Sequence, residues 1–445
     1  MNIKNELFYG GRAMLRDNWL CQRQATQLRT HEFLNSKEMA ALQNQYLHRS
    51  LQFAIKKLPF YQHISPKFTV ADAPRVLREQ FPIIDKSTLL LNRRTLYPRN
   101  GNVLLWQSVG KTSGTTGTPL AVFRSMQSVL LEQAFIKRHW AWAGFDEDAT
   151  RVTLRGDVVV PLTQTAPPFW FWNRFNRQLL VSSRHLREQN IAPILQEIRR
   201  VRPHALQAYP STAYVLAQLL QQRDELLHIP FLFSASEPLY QHQRDLILER
   251  MGCSVMDMYG MAERVAFATG CEHGNMHINP DYSYVEIVDE AGQPTDKEGY
   301  IVGTTFHNLA MPLIRYRLSD RTRWKQGTCP CGRNFPMIEP VTGKYEDSIC
   351  GSNGAVVSPS VLTFAFKGVQ HIKKSQVVQI APAHWQIRLV PMVGFNKIEE
   401  QKLVSNIHQL VDAQVKVEVL LQDDIPTTEA GKFRWVVNLM RLPVA

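Results

Sequence analysis

Apolar residues recur at helical spacing through the first sixty positions, and the run from Lys37 to Leu58 carries Leu42, Tyr46, Leu51, Ala54, Ile55 and Leu58 on one stripe. This predicts a helix capped by Ser36 and stopped by Pro59. Asp85 is placed to cap a short helix over Ser87–Leu91. Leu120–Phe123 reads as a strand, and Ser125–Gly144 as an amphipathic helix with Leu130, Leu131, Phe135 and Trp140. From 186 to 258 helices alternate with short apolar strands. Ile191–Val201 is a helix with Pro193 in its first turn, Ser211 caps another that reaches about Leu220, and Gln241–Arg250 is a third, ended by Gly252. Phe231–Phe233 and Val255–Met258 are the strands between them. That alternation predicts βαβ units and a largely parallel sheet, in which ligands sit beyond the carboxyl ends of the strands. Two polar loops fall at such ends, Ser234–Pro238 and Tyr259–Glu263.

Beyond residue 277 the period changes to two. Tyr284–Val288 and Gly299–Thr305 flank a turn at Asp289–Gly292, as expected for antiparallel strands in a small barrel-like part. Val377–Ile380, Trp385–Val390, an amphipathic helix over Lys397–Val411 and Val415–Leu421 form a compact ββαβ pattern at the end. The expected architecture is α/β. A large domain over 1–345 would combine α/β sheets with the barrel-like part, and a small mobile α+β lid domain over 346–445 would follow a boundary near Lys344–Asp347.

Composition narrows the class. The 445 residues are 44% hydrophobic and 20% charged, which is globular, and no run of 18 apolar residues suggests a membrane span. The N-terminus lacks the apolar core of a signal peptide, so a cytoplasmic location is the expectation. The net charge of +12 suits anionic small molecules. The basic residues are scattered and no nucleic-acid-binding motif is present, which argues against a nucleic-acid partner.

The most distinctive stretch is Thr112-Ser113-Gly114-Thr115-Thr116-Gly117-Thr118-Pro119. Its glycines allow close backbone approach, and its hydroxyls and N–H groups suit phosphate and the charge that develops in phosphoryl or nucleotidyl transfer. It is not a Walker loop, because its lysine, Lys111, comes before it. Pro167–Trp172 is unusually aromatic, and packing is favoured over a pocket role there. Glu263 could be a surface acid, Asp320 could pair with Arg317 or Arg321, and Lys432 alone would be an exposed loop lysine. Cys329-Pro330-Cys331-Gly332, with Cys271, His277 and His273 earlier, offers ligands that suit Zn²⁺.

Taken together, the Gly-rich loop, Tyr259-Gly260-Met261-Ala262-Glu263, Arg315-Tyr316-Arg317-Leu318-Ser319-Asp320 and Thr428-Glu429-Ala430-Gly431-Lys432 occur in the order seen in adenylate-forming enzymes. The chain resembles phenylacetate–CoA ligases and the related capsule-biosynthesis adenylating enzymes. The likeness extends to Leu58-Pro59-Phe60-Tyr61, Phe81–Lys86 and Ser375–Gln379, and so covers nearly the whole chain. The resemblance implies that ATP and a small-molecule carboxylic acid give an acyl- or aryl-adenylate and pyrophosphate. Coenzyme A would then take the acyl group. A carrier-protein thiol or an amine is the alternative acceptor, and a weakened nucleotide-binding protein the alternative class.

The resemblance also implies roles. Thr112, Ser113, Gly114, Thr115, Thr116 and Gly117 would clamp the phosphates, with Thr116 catalytic. Ser236, Glu237 and Pro238 would line the adenine, with Tyr259 and Gly260 beside it. Asp320 would hold the ribose, Glu263 would hold Mg²⁺, and Lys432 would bridge the carboxylate and the α-phosphate. Cys271, His277, Cys329 and Cys331 would hold a structural zinc, with His273 as the alternative ligand, and a homodimer is possible. Two departures stand out. Ala262 replaces the usual Ser or Thr, and Gly343-Lys344-Tyr345-Glu346-Asp347 replaces Gly-Arg-x-Asp-Asp, which makes Glu346 the candidate hinge.

Overall fold

A computed structural model describes residues 3–97, 107–111, 120–145, 149–342, 349–357, 359–366, 368–426 and 434–440. The Thr112–Pro119 loop, the Lys344–Asp347 boundary with Glu346, and Thr428–Lys432 lie outside the described residues.

The large module is built on a ten-stranded sheet. Its centre is parallel, in the spatial order Gln178–Val181, Arg151–Leu154, Ala205–Ala208, Phe231–Ala235, Ser254–Gly260. Helices Glu188–Val201, Pro210–Gln222 and Gln241–Met251 connect these strands, which confirms the βαβ reading. Antiparallel strands extend the sheet at both sides. Trp170–Asn173 forms one edge, while Phe267–Gly270, Met276–Ile278, Met337–Ile338 and Trp324–Lys325 continue the other. The barrel-like part is a three-stranded antiparallel meander of Ser283–Val288, Gly299–Thr305 and Tyr316–Thr322.

Local chemistry sets the helix starts, and some differ from expectation. The helix Ser36–Lys57 is capped by Asn35, whose side chain accepts from the N–H groups of Lys37 and Glu38 while Glu38 returns a bond to the Asn35 N–H. An Asn with Glu three residues on makes the complete box, which Ser36 cannot do. Ser211 is inside its helix, since Pro210 takes the first position and Tyr209 the cap. The Ser211 N–H instead meets the Glu237 carboxylate at 3.2 Å. The helix holding Pro193 starts at Glu188, which places the proline in the helix interior. Asp85 caps Lys86–Leu91 as expected, and the helix read from Ser125 begins at Met126 with Ser125 as its cap.

The small module is a four-stranded sheet ordered Lys416–Leu421, His384–Pro391, Ile372–Ala381, Val436–Asn438, with the central hairpin antiparallel and both outer pairs parallel. Helix Lys397–Leu410 buries Leu403 and Ile407 against Trp385 and Trp435. Tyr209 of the large module joins this same core.

Candidate adenylation site

The parallel strands end on one side of the sheet, and their following loops surround a cavity of about 860 Å³. Of the residues nominated from sequence, Ser236, Glu237, Pro238, Tyr259, Gly260, Glu263 and Asp320 all line it. The register explains the gathering. Ser234 pairs with Asp257 and Ala235 with Met258, so the turn at Ser236 and the Tyr259 loop leave the sheet side by side. Ser236 takes a left-handed backbone (φ 74°) to make that turn, as Arg264 does (φ 59°) to turn the chain after Glu263. A glycine is required at 303, because a Cβ there would collide with the Val265 carbonyl that the same loop lays on strand Gly299–Thr305.

The Tyr259 hydroxyl donates to Asp320 Oδ2 at 2.7 Å. Burial, and then the Asp320 charge, push the phenol well above its ordinary value, so it stays a donor. Asp320 therefore pairs with Tyr259. Arg317 approaches Asp85 at 4.0 Å, and Arg321 faces Glu290 and Glu298. Arg315, at the start of the same motif, is structural. It donates two 3.1 Å bonds to the buried Glu286 and further bonds to the carbonyls of Phe81 and Arg78.

Asp257 was not anticipated. It lines the cavity and accepts from Ser234 Oγ at 2.6 Å. Burial raises its pKa. The only sequence signal was its place near the carboxyl end of a parallel strand, two residues before Tyr259. Arg124 was also missed, and its Nη2 donates to the Ala262 carbonyl at 2.8 Å. The small module contributes Thr363, Phe364 and Phe366 to the wall. Tyr209, at the carboxyl end of strand Ala205–Ala208, also lines the cavity. In the aromatic stretch Phe169 is buried against His185 in a stack with ring centres 4.9 Å apart, so packing governs that position, whereas Trp172 is exposed.

Cys271, His277, Cys329 and Cys331 converge, with their ligand atoms all within 4.8 Å of one another. Cys271 follows strand Phe267–Gly270, His277 sits on Met276–Ile278, and the other two share a turn closed by the Gly332 N–H on the Cys329 carbonyl at 3.1 Å. His273 is not in the group. Cys271 and Cys329 sulfurs are 3.6 Å apart, too far for a disulfide. Two thiolates on a tetrahedral zinc at the usual bond length would stand about 3.8 Å apart. His277 Nδ1 bonds the Phe335 carbonyl at 3.0 Å, which leaves Nε2 facing Cys331 Sγ at 3.5 Å. Asn275 donates to Cys329 Sγ at 3.2 Å, a second-layer contact suited to a thiolate ligand. The donor set fits Zn²⁺. Cys21, Cys253 and Cys350 lie outside this cluster and form no disulfide.

Residues 111–306 match the AMP-binding enzyme family, and residues 349–439 match the CapK C-terminal domain. With the cavity above, these matches place the chain in the adenylate-forming superfamily. Within it, the similarity runs to Protein CapK of Staphylococcus aureus, 23% identical with 90% of this chain and 89% of that protein aligned. A phenylacetate-coenzyme A ligase of Thermus thermophilus is 24% identical, aligned over 92% of this chain and 98% of its own length. A solved 2-hydroxyisobutyryl-CoA ligase, in complex with 2-HIB-AMP and CoA, shares the fold with a TM-score of 0.56 at 19% identity, covering 92% of both chains.

Proposed function

We propose that the protein activates a carboxylic acid with ATP, forming an acyl- or aryl-adenylate and releasing pyrophosphate, and then transfers the acyl group to coenzyme A. The single observation that carries this reading is the meeting of Ser236–Pro238, Tyr259–Glu263 and Asp320 on one cavity at the carboxyl ends of parallel strands. The family matches and the names of the relatives support it.

In the first step a carboxylate oxygen bonds to the α-phosphorus and the bond to pyrophosphate breaks. Asp320, oriented by the Tyr259 hydroxyl, accepts from the ribose hydroxyls, while Tyr259 and Ser236–Pro238 bound the adenine. The Thr112–Gly117 loop, including Thr116, takes the leaving phosphates. Lys432 bridges the two reacting anions and offsets their repulsion. Glu263 is the carboxylate that would hold Mg²⁺, which supplies neutralising charge on the phosphates when bound. In the second step the thiol sulfur bonds to the acyl carbon, its proton is lost, and AMP leaves. Glu346 is the proposed pivot that withdraws Lys432 between the steps. Cys271, His277, Cys329 and Cys331 would hold zinc as a structural tie between the loop after Glu263 and the strands beyond it. We place the reaction in the cytoplasm, where ATP and coenzyme A are available.

Pyrophosphate release across a panel of carboxylic acids, with Lys432→Ala as control, tests the first step. Adding coenzyme A, and then amines, tests the second. One or more acids should give ATP-dependent release that the variant loses by roughly a hundredfold or more. Absence of release across a broad panel in protein that still binds ATP would overturn the enzyme reading.

A further inference from the structure

The first two helices, Ile3–Arg16 and Trp19–Arg29, bind the large module by one side only. Tyr9 stacks on Phe171 with ring centres 5.7 Å apart, and Cys21, Ala25 and Leu28 pack against Ala134 and Phe135. The other side is apolar yet exposed. Leu7 is 74%, Met14 73% and Trp19 65% accessible, and Phe8, Leu15 and Leu20 are exposed beside them. Leu7 and Met14, like Phe8 and Leu15, stand two helical turns apart, so they form one stripe. Stripes of this size on a protein surface mark contact sites.

The charge around the stripe identifies what it meets. Residues 1–30 hold Lys4, Arg12, Arg16, Arg23 and Arg29 against only Glu6 and Asp17. Both acids pair with cations of the large module, Glu6 with Arg174 at 3.4 Å and Asp17 with Lys137 at 3.5 Å. Arg12, Arg23 and Arg29 remain exposed. A second copy of the chain, itself carrying +12, would bring the same arginines face to face. An anionic lipid surface complements both the stripe and its basic rim.

We propose that these two helices lie on an anionic membrane surface, with Leu7, Phe8, Met14, Leu15 and Trp19 inserted between headgroups and Arg12 and Arg23 at phosphate level. This docking needs no spanning segment, and among the described residues no helix is long and apolar enough to cross a membrane. It is also independent of the adenylation site. The first helix lies by edge strand Trp170–Asn173, with three strands between that edge and Phe231–Ala235, and the second packs on helix Met126–Trp142, and none of the exposed stripe residues lines the cavity.

The test is cosedimentation of the full chain with vesicles of phosphatidylcholine alone or mixed with phosphatidylglycerol. Binding to the mixed vesicles, weakened by added salt, is expected. Phe8→Ser/Leu15→Ser should bind about tenfold more weakly per side chain removed. Arg12→Glu/Arg23→Glu, on exposed positions that leave packing intact, should lose the preference for phosphatidylglycerol. Far-UV circular dichroism and pyrophosphate release should be unchanged in both variants. Failure of wild type to bind mixed vesicles, equal binding by both variants, or a dimer in solution that Phe8→Ser/Leu15→Ser dissociates without any vesicle binding would each overturn the proposal.

Discussion

The hydrogen bond from Tyr259 to Asp320 shows how one side chain fixes the role of another. Asp320 is flanked in sequence by Arg317 and Arg321, and neighbours alone would make it half of a surface ion pair. The fold sends those arginines to Asp85 and to Glu290 and Glu298, and leaves the carboxylate facing the cavity. Tyr259→Phe should therefore raise the KM for ATP about fivefold, the worth of one hydrogen bond of about 1 kcal/mol. Asp320→Ala should raise it further, and steady-state pyrophosphate kinetics distinguish the two. Arg315 gives a contrasting case within the same motif. Its partner Glu286 is buried, and Glu286→Ala would leave a buried guanidinium short of its counter-charge. A loss of about 3 kcal/mol in urea denaturation is expected, with the KM for ATP little changed. Motif order could point to Asp320, but the division of labour between Arg315 and Asp320 depended on what each touches.

Elements with strong periodicity were legible in the sequence, and elements fixed by their neighbours were not. The helices Ser36–Lys57 and Lys397–Leu410 and the hairpin Ile372–Pro391 appear where their patterns put them. Met337–Ile338, Trp324–Lys325 and Val436–Asn438 are two or three residues long, too short for any pattern, and exist only through pairing with a neighbouring strand. The full width of the central sheet was hidden for that reason. Asp257 was missed because a buried carboxylate on an apolar strand has no signature until its partner, Ser234, is placed beside it by the register. The Cys/His cluster was legible because its chemistry is rare. It joins two turns separated by more than fifty residues, so the element it stabilises is the junction between them. Purified protein should carry about one zinc per chain. Cys331→Ser should lower both the zinc content and the thermal midpoint, as read by metal analysis and calorimetry. A zinc-free wild type with an undiminished midpoint would exclude the site.

For the whole molecule, buried histidines set the response to acid. Burial lowers His139 from 6.5 to about 4, and its Nε2 bonds the Gly270 carbonyl at 2.9 Å. His307 is likewise lowered to about 4, chiefly by burial. Both are neutral in the folded chain but take up protons in the unfolded one as pH falls below 6.5. Their contribution to stability is therefore present near neutrality and is lost progressively between pH 6.5 and about 4. Asp281 behaves oppositely. Burial alone would raise it, but the Arg138 charge and the hydrogen bonds from His31 and Arg138 hold it well below the usual carboxylate range. Its share persists until pH falls below about 4. The urea midpoint should fall between pH 7 and pH 5, and His139→Gln, which keeps a donor for Gly270, should flatten that slope. A midpoint independent of pH over this range would contradict the assignment.

Tyr209 belongs to two structures at once. Its ring closes the core of the small module, and it also lines the cavity between the strand ends. A residue shared in this way acts as a clutch plate between ligand occupancy and the seating of one module on the other. Whatever free energy a bound ligand gives to that seating, the seating must return to the ligand's affinity, since coupling between two equilibria is reciprocal. Tyr209→Ala should weaken that coupling. A crosslink between the modules should then change the affinity of the cavity for nucleotide less than it does in the native chain, with Thr363, Phe364 and Phe366 carrying what remains.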